Sequence, residues 1–409
     1  MTMNQNEHYD VVIVGGGLVG ASLACALGEK NFSVAVIEAF PFKSQSQPSY
    51  DDRSVALAYG SKVIFSSMGL WSALEKRVCP IETIHVSDQG RFGFTRLHAQ
   101  EEGTPALGYV AENRVLGEVF FGALAAMEHV HLYCPARFQS LKFEQEYASL
   151  TVETEGERRV LNASLVIAAD GGRSAVRQAM GIDAQVSDYG QSAVIANVTP
   201  EKLHQNVAFE RFTTSGPLAF LPMTQQRCSV VWTVENHDLE DVMALSETAF
   251  LQQLQKQFGF RLGRLLRCGE RAAYPLKLLK VDEIVRSRLA VIGNAAHSLH
   301  PVAGQGFNLG IRDVAALCEI LENARNANKD LGSLDVLEHY AAWRRRDYWR
   351  ITNLTDRMVR VFSTTFLPAV CIRKLGLAAV QASPILRQVL ARHTMGLAGR
   401  LPRLARGIR

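Results

Sequence analysis

The stretch "HYDVVIVGGGLVGASLACALGEKNFSVAVIEAF", residues 8–40, decides the class of fold. Residues 9–14 form an apolar, β-branched run, the pattern of a strand buried on both faces of a parallel sheet. Gly15-x-Gly17-x-x-Gly20 follows at once, and "ASLACALGEK" then reads as a helix. A second β-rich run, "FSVAVIE", ends in Glu38, eighteen residues beyond Gly20. Strand, glycine turn, helix, strand and terminal acid are the parts of a dinucleotide-binding βαβ unit, in order. Gly15 permits the tight turn, Gly17 lets backbone amides approach a pyrophosphate, and Gly20 allows helix and strand to pack closely. The helix N-terminus adds amide donors and a positive dipole end for phosphate charge. Glu38 is placed to accept from adenosine ribose hydroxyls, and its charge repels a 2′-phosphate. The motif alone admits either NAD or FAD.

The rest of the composition narrows the setting. A chain of 409 residues has two- or three-domain length. Apolar residues make up 47% and charged residues 21%, enough to build a core without the signature of disorder. Seven cysteines are scattered without a C-x-x-C pair, which argues against a disulfide framework or a zinc cage and for a reducing cytoplasm. The start, "MTMNQNEHYD", lacks the cationic and apolar pattern of a secretion signal, and no run of eighteen apolar residues is long enough to span a bilayer.

The net charge of +4 is unevenly spread. Residues 357–409 hold ten Lys/Arg and no Asp or Glu, so this tail carries +10 and the remainder −6. The tail is also rich in Leu, Ala, Val and Phe. An apolar helix face rimmed with arginine suits an anionic lipid surface, here through residues 361–409 on the inner face of the cytoplasmic membrane. A helical layer packed on the body, with its cations in water, reads equally well. Nucleic acid is excluded as a partner, because the tail lacks interleaved aromatics and the rest of the chain is acidic.

Two later motifs choose between the cofactors. "SLVIAADGGRSAVR" (164–177) is another apolar strand, ending in Asp170-Gly171. "RLAVIGNAAHSLHPVAGQGFNLGIRD" (288–313) then carries Gly293, Ala295, Ala296, His297, Pro301, Gly304, Gln305, Gly306, Asn308, Gly310 and Asp313 at fixed spacing. Together with Gly15–Gly20 these residues resemble the group A flavoprotein monooxygenases. Further stretches, "YDDRSVALAYGS" (50–61), "IHVSDQGRFGFTRL" (84–97) and "FERFTTSGPLAFLPM" (209–223), extend the resemblance over nearly the whole chain, to the ubiquinone-biosynthesis hydroxylases.

That resemblance implies FAD as cofactor, O2 as co-substrate, and NAD(P)H or a protein electron donor as transient reductant, there being no second dinucleotide fingerprint. It implies hydroxylation of the ring of a polyprenylated phenol, of the 2-polyprenyl-6-methoxyphenol type, through a flavin C4a-hydroperoxide. A ubiquinone-biosynthesis protein assembly is the expected partner. Gly293 and Asn294 fall where the family binds the ribityl chain and pyrophosphate, and Arg53, Asn113, Asp170 and Asn308 match further cofactor positions. Pro301, Gly304, Gln305 and Gly306 match the loop at the reacting edge of the flavin, with no acid or base assigned. Asn294 departs from the aspartate usual in the superfamily; an asparagine still accepts from a ribityl hydroxyl and can also donate. His297 and His300 stand at metal-ligand spacing, but no third ligand is set beside them. His297 therefore reads as a hydrogen-bonded structural imidazole, and no metal is expected.

Residues 183–284 alternate apolar and polar in segments such as "SAVIANVT" and "RCSVVWTVE", the pattern of an antiparallel sheet. In "GPLAFLPM" (216–223), Phe220 and Leu221 are the expected substrate wall. The expected architecture is α/β: a Rossmann-like FAD-binding domain of the para-hydroxybenzoate-hydroxylase type from 1–80, 100–182 and 285–345. A β-rich substrate domain takes 81–99 and 183–284, and a C-terminal helical, basic region takes 346–409. Two other readings share the motifs: an FAD-dependent reductase or dehydrogenase of an isoprenoid, and a non-catalytic flavin-containing scaffold. A flavin halogenase is disfavoured because no W-x-W-x-I-P motif appears.

Overall fold

Strand Glu7–Val14 lies in the middle of its sheet because Val11, Val12 and Ile13 are apolar toward both faces and fully buried. Its neighbours Val34–Ile37 and Glu157–Ala168 run parallel to it, with Val12 opposite both Ala35 and Val166. Val130–Tyr133 and Leu289–Val291 extend the parallel set on the two sides. A hairpin, Ala136–Phe143 and Ala148–Thr154, runs antiparallel into Glu157–Ala168. The computed structural model describes residues 7–41, 53–89, 94–298, 304–363 and 379–408.

Helix Leu18–Gly28 is buried over most of its length and packs on helix Gln305–Asn326. Their approach is close: a β-carbon at Gly310 would stand 2.8 Å from Cγ2 of Val19. Thus the two glycine-rich segments, far apart in sequence, start helices that lie side by side.

A second, nine-stranded sheet forms a platform. Its backbone is Gln185–Pro200, paired antiparallel with Cys228–Glu235 and Ala272–Lys280. Gly216–Pro222 and Val207–Thr213 follow outward, and Thr83–Asp88 then joins in parallel, far from its neighbour in sequence. One face of the platform is sealed by helix Glu247–Phe258, through Phe220, Val230, Phe250, Leu254 and Phe258. The other face is turned to a cavity. A small sheet of Ser54–Ala58, Gly108–Glu112 and Cys79–Ile81 lies between these layers.

Helix Leu334–Ser363 runs without a break through the boundary expected at 345/346. The C-terminal region therefore does not begin there. The reason is a buried polar cluster on both sides of that point. Asp313 has no exposure; its Oδ1 accepts from Arg344 Nε at 2.7 Å and from the Tyr348 hydroxyl at 2.8 Å. Its Oδ2 lies 2.9 Å from His297 Nε2 and accepts from the Gly293 amide at 3.1 Å. Arg344 also pairs with Asp347, which Arg312 reaches at 2.8 Å, so two buried carboxylates are matched by two guanidinium groups.

Burial alone would raise the Asp313 pKa, but Arg344, His297 and the hydroxyl of Tyr348 outweigh it and hold the carboxyl below its usual range. Replacing Asp313→Asn leaves a buried guanidinium short of its counter-charge and should cost about 3–5 kcal/mol in chemical denaturation. A lowered folded pKa makes this stabilisation complete above about pH 4, the unfolded value, and removes it as pH falls through the folded one. Acid titration of stability should therefore be shallower in the variant.

Candidate active site

At the C-terminal ends of the parallel strands a cavity of about 1230 Å³ opens, lined by Val14, Ile37 and Ala169 and continuing to the free face of the platform. Such a volume exceeds the roughly 300–1,000 Å³ of an ordinary small-molecule site. It holds room for a long cofactor and a second molecule together.

The first glycine turn builds one end. Gly15 adopts φ +105°, and a β-carbon there would stand 2.5 Å from the carbonyl oxygen of Ala169. Gly20 is closer still to its neighbour, 1.9 Å from the Gly15 oxygen if it bore a β-carbon, so strand and helix meet only without side chains. Gly17 lines the cavity at the N-cap of helix Leu18–Gly28, which no side chain caps. Glu38 is buried at the strand end beside it; its carboxylate accepts from the Gly16 amide at 2.8 Å and the Phe40 amide at 2.9 Å. Ala136, Arg137 and Phe138, which sequence reasoning missed, complete this end from the hairpin.

Asp170 lines the middle of the cavity. Burial raises its pKa, against hydrogen bonds from Ser174 and the Val176 amide, the latter at 3.2 Å. Its Oδ1 has no hydrogen-bond partner among the described residues. Arg53 and Asn113 meet across the small sheet, the Asn113 amide donating to the Arg53 carbonyl at 2.8 Å, and both line the cavity. The guanidinium of Arg53 lies 4.8 Å from the ring centre of Tyr274, a further wall residue that the sequence did not single out.

The second glycine cluster builds the other end. Gly293 turns at φ +58° and is fastened through its amide to Asp313. Asn294, beside it, is exposed and lines the cavity. Gly304 caps helix Gln305–Asn326, and a β-carbon on Gly306 would meet nothing within 4 Å. A flat ring can therefore lie over backbone there, with helix-start amides beneath it. Pro301 and His300 lie outside the described residues. His297 is buried on Asp313, in the structural place expected of it. No group of three His, Cys, Asp or Glu among the described residues could hold a metal ion.

Two expectations need correction. Asn308 touches the cavity wall, but all four of its hydrogen-bonding valences are taken by protein. Its Oδ1 accepts from the Ala58 amide at 2.7 Å and the Ser61 hydroxyl at 2.8 Å, while Nδ2 donates to the carbonyls of Ala56 at 2.8 Å and Gly304 at 2.7 Å. It is a clamp between segments, not a ligand for a cofactor. Phe220 faces away from the cavity, stacked on Phe258 at 3.9 Å between ring centres. Successive strand residues point to opposite faces, so only Leu221 of the expected pair joins the wall, with Ala219. The sequence pattern showed the alternation but not which phase faced the cofactor.

These residues fit FAD. The Gly15–Gly17 turn and Glu38 suit its adenosine diphosphate half, and the space over Gly306 suits its ring. The two asparagines should separate in experiment. Asn308→Leu strands at least one buried backbone donor and should lower stability by about 1–3 kcal/mol, read as Tm. Asn294→Ala should leave the Tm of apoprotein unmoved and weaken FAD binding by roughly two- to tenfold, one hydrogen bond's worth, in a fluorescence titration.

The FAD binding domain family matches residues 8–355. Ubiquinone hydroxylase UbiL of Rhodospirillum rubrum is 39% identical over 411 residues, covering 100% of this chain and 95% of that protein. The 3-demethoxyubiquinol 3-hydroxylase of Escherichia coli K12 is 33% identical, covering 96% and 100%. Human mitochondrial ubiquinone biosynthesis monooxygenase COQ6 is 31% identical, covering 94% and 92%. Among solved structures, p-nitrophenol 4-monooxygenase PnpA from Pseudomonas putida DLL-E4 shares the fold with a TM-score of 0.81 at 19% identity, covering 96% of this chain and 99% of that one. The chain belongs to the FAD binding domain family of flavoprotein monooxygenases, in its branch of ubiquinone-biosynthesis hydroxylases.

Proposed function

We propose that this enzyme adds a hydroxyl group to the aromatic ring of a polyprenylated phenol of the 2-polyprenyl-6-methoxyphenol type, on the route to ubiquinone. The observation that carries this reading is the continuity of the cavity. It runs from Gly15 and Glu38, past Gly304 and Gly306, into a chamber walled by Ile84, Val86, Ile195, Ala208, Leu221 and Leu276. An apolar chamber opening on the ring end of a flavin site suits a phenol with a hydrocarbon substituent. FAD, when bound, supplies the electrons that activate dioxygen, drawn from NAD(P)H or a protein donor. The chain's own contribution is to orient the phenol ring against the platform face and to keep water from the reacting oxygen.

The C-terminal helix Pro384–Thr394 supports a path for the tail. Leu390 and Thr394 line the cavity, with Val380 just before the helix, while Ile385, Leu386 and Val389 on the same helix are exposed. We read this exposed apolar strip as a contact with the membrane surface, from which a polyprenyl tail enters. Its basic residues are not all free: Arg387 is held by Glu101 at 3.1 Å. No helix of the described residues is long and apolar enough to cross a membrane.

Incubating the purified holoenzyme with NAD(P)H or a coupled donor, a prenylated methoxyphenol and isotopically labelled dioxygen should place one labelled oxygen atom in the product. Reduction of FAD without labelled product would instead favour the dehydrogenase reading. For the surface, Ile385→Asp combined with Val389→Asp should reduce sedimentation with anionic liposomes at least about fivefold at unchanged Tm, since two buried apolar side chains are worth roughly 1.5–3 kcal/mol each. Equal sedimentation of the two proteins rules out this strip as the membrane contact.

A further inference from the structure

Glu210 sits where an apolar wall has no structural need for a carboxylate. It lies on strand Val207–Thr213, directly between Val86 and Ala219 on the flanking strands, and all three line the cavity. Across the next two strands Val231 and Ile195 continue the same row. Neither a hydrogen bond nor an ion pair holds the Glu210 side chain among the described residues, and its partial exposure is to the cavity it lines. A carboxylate set in an apolar wall without a partner there is expensive in a folded chain, so its place at a cavity-facing position points to use there.

Resting on the hydroxylase reading above, we infer that Glu210 is the group that receives the phenolic proton of the substrate during ring hydroxylation. The electrostatics agree with the geometry. Desolvation by burial pushes its pKa up to about 7, where a carboxylate can both take and return a proton near neutral pH. No charged group of the described residues pairs with the Glu210 carboxylate. His85 and Arg211 are on the reverse face of the same strands, His85 stacked with Phe94 and Arg211 donating to the Phe258 carbonyl. Asp88 stands on the same face as Val86, two residues further along and opposite Phe212, and strand Gly216–Pro222 carries no ionisable side chain. Arg53, Asp170, Arg173 and Tyr274 line other parts of the cavity.

As a ring carbon gains one oxygen atom of dioxygen, the phenolic O–H bond breaks, its proton passes to a Glu210 oxygen, and its electron pair moves into the ring to give a dienone. The proton on the newly oxygenated carbon then passes through water to the new oxygen, completing its hydroxyl; the C–H bonding pair restores aromaticity, and Glu210 returns its proton to the phenolic oxygen. Dioxygen's second atom departs as water, with two protons from solvent and two electrons from the reduced nicotinamide or protein donor through the bound cofactor. An acceptor on the phenol makes the ring electron-rich at the moment it attacks, which is why it accelerates the step.

The inference is tested first without turnover. 4-Nitrophenol is titrated in the oxidised holoenzyme, and its phenolate absorbance is followed against pH. In the wild type, phenolate and Glu210 carboxylate repel, so the bound phenol should ionise at a pH about one unit higher than in Glu210→Gln, a tenfold difference in proton affinity. Glu210→Asp keeps the charge and should keep most of the rise. Equal midpoints in wild type and Glu210→Gln overturn the inference. If that variant does not fold, the wild type alone decides: no upward shift of bound against free nitrophenol overturns it. In turnover, kcat should fall at least about 100-fold in Glu210→Gln, and the wild-type rise of kcat/KM through pH 7 should disappear. Glu210→Gln with unchanged kcat and the same pH profile also overturns it. The nitrophenol midpoints do not depend on hydroxylation, whereas absence of labelled product in the wild type would sink the hydroxylase reading itself.

Discussion

The buried carboxylate of Asp313 ties together the parts of the molecule on which the cofactor end depends. Two protons on nitrogen, one on a phenol and one on a backbone amide converge on it, from Arg344, His297, Tyr348 and Gly293. Those residues belong to a strand end, a loop and a long C-terminal helix. With the ion pair between Arg312 and Asp347 alongside, the charges are matched in a region with almost no water. A cluster of this kind is weak evidence for net stability, because desolvation offsets attraction, but removing one member leaves an uncompensated charge. It gives the Gly293 turn one position relative to helix Gln305–Asn326, and that helix carries Gly306 to the cavity.

The cavity itself results from two layers that treat their faces differently. The parallel sheet is apolar on both sides and ends in a glycine turn that lines the cavity. The platform is apolar on both sides too, but only one side is closed, by helix Glu247–Phe258. Its open side needs another occupant to cover it. A flavin ring and an apolar phenol are complementary to that surface, and Glu210 is the exception that a purely packing role does not explain.

Local patterns made much of this legible beforehand. The turn at Gly15, the helix after it and Glu38 at the next strand end are short-range features, set by which residues can adopt positive φ and which alternate or repeat. The loop at Gly304–Gly306 was legible through its resemblance to a family. His297 was read as a hydrogen-bonded imidazole, and in the structure it meets Asp313. What misled was phase and partnership. Phe220 and Leu221 are adjacent, and strand alternation guarantees that only one of them can reach the wall. Asn308 had the right type and place for a ligand, yet its four bonds are to Ala56, Ala58, Ser61 and Gly304. A boundary was expected at 345/346, but the buried side chains of Arg344, Asp347 and Tyr348 continue one helix through it.

The amino-acid sequence by itself determined the class of fold and the two glycine-rich turns, because these rest on spacing over a few residues, while FAD as the cofactor came from resemblance to a family. Tertiary structure alone decided which face of the platform meets the cavity and which polar side chains are left over for chemistry. Thr83–Asp88 joins Val207–Thr213 across more than a hundred intervening residues, and that pairing sets Glu210 between Val86 and Ala219. No local pattern marks that glutamate as different from its neighbours. Its character comes from the absence of a partner among the described residues, which only the assembled wall reveals.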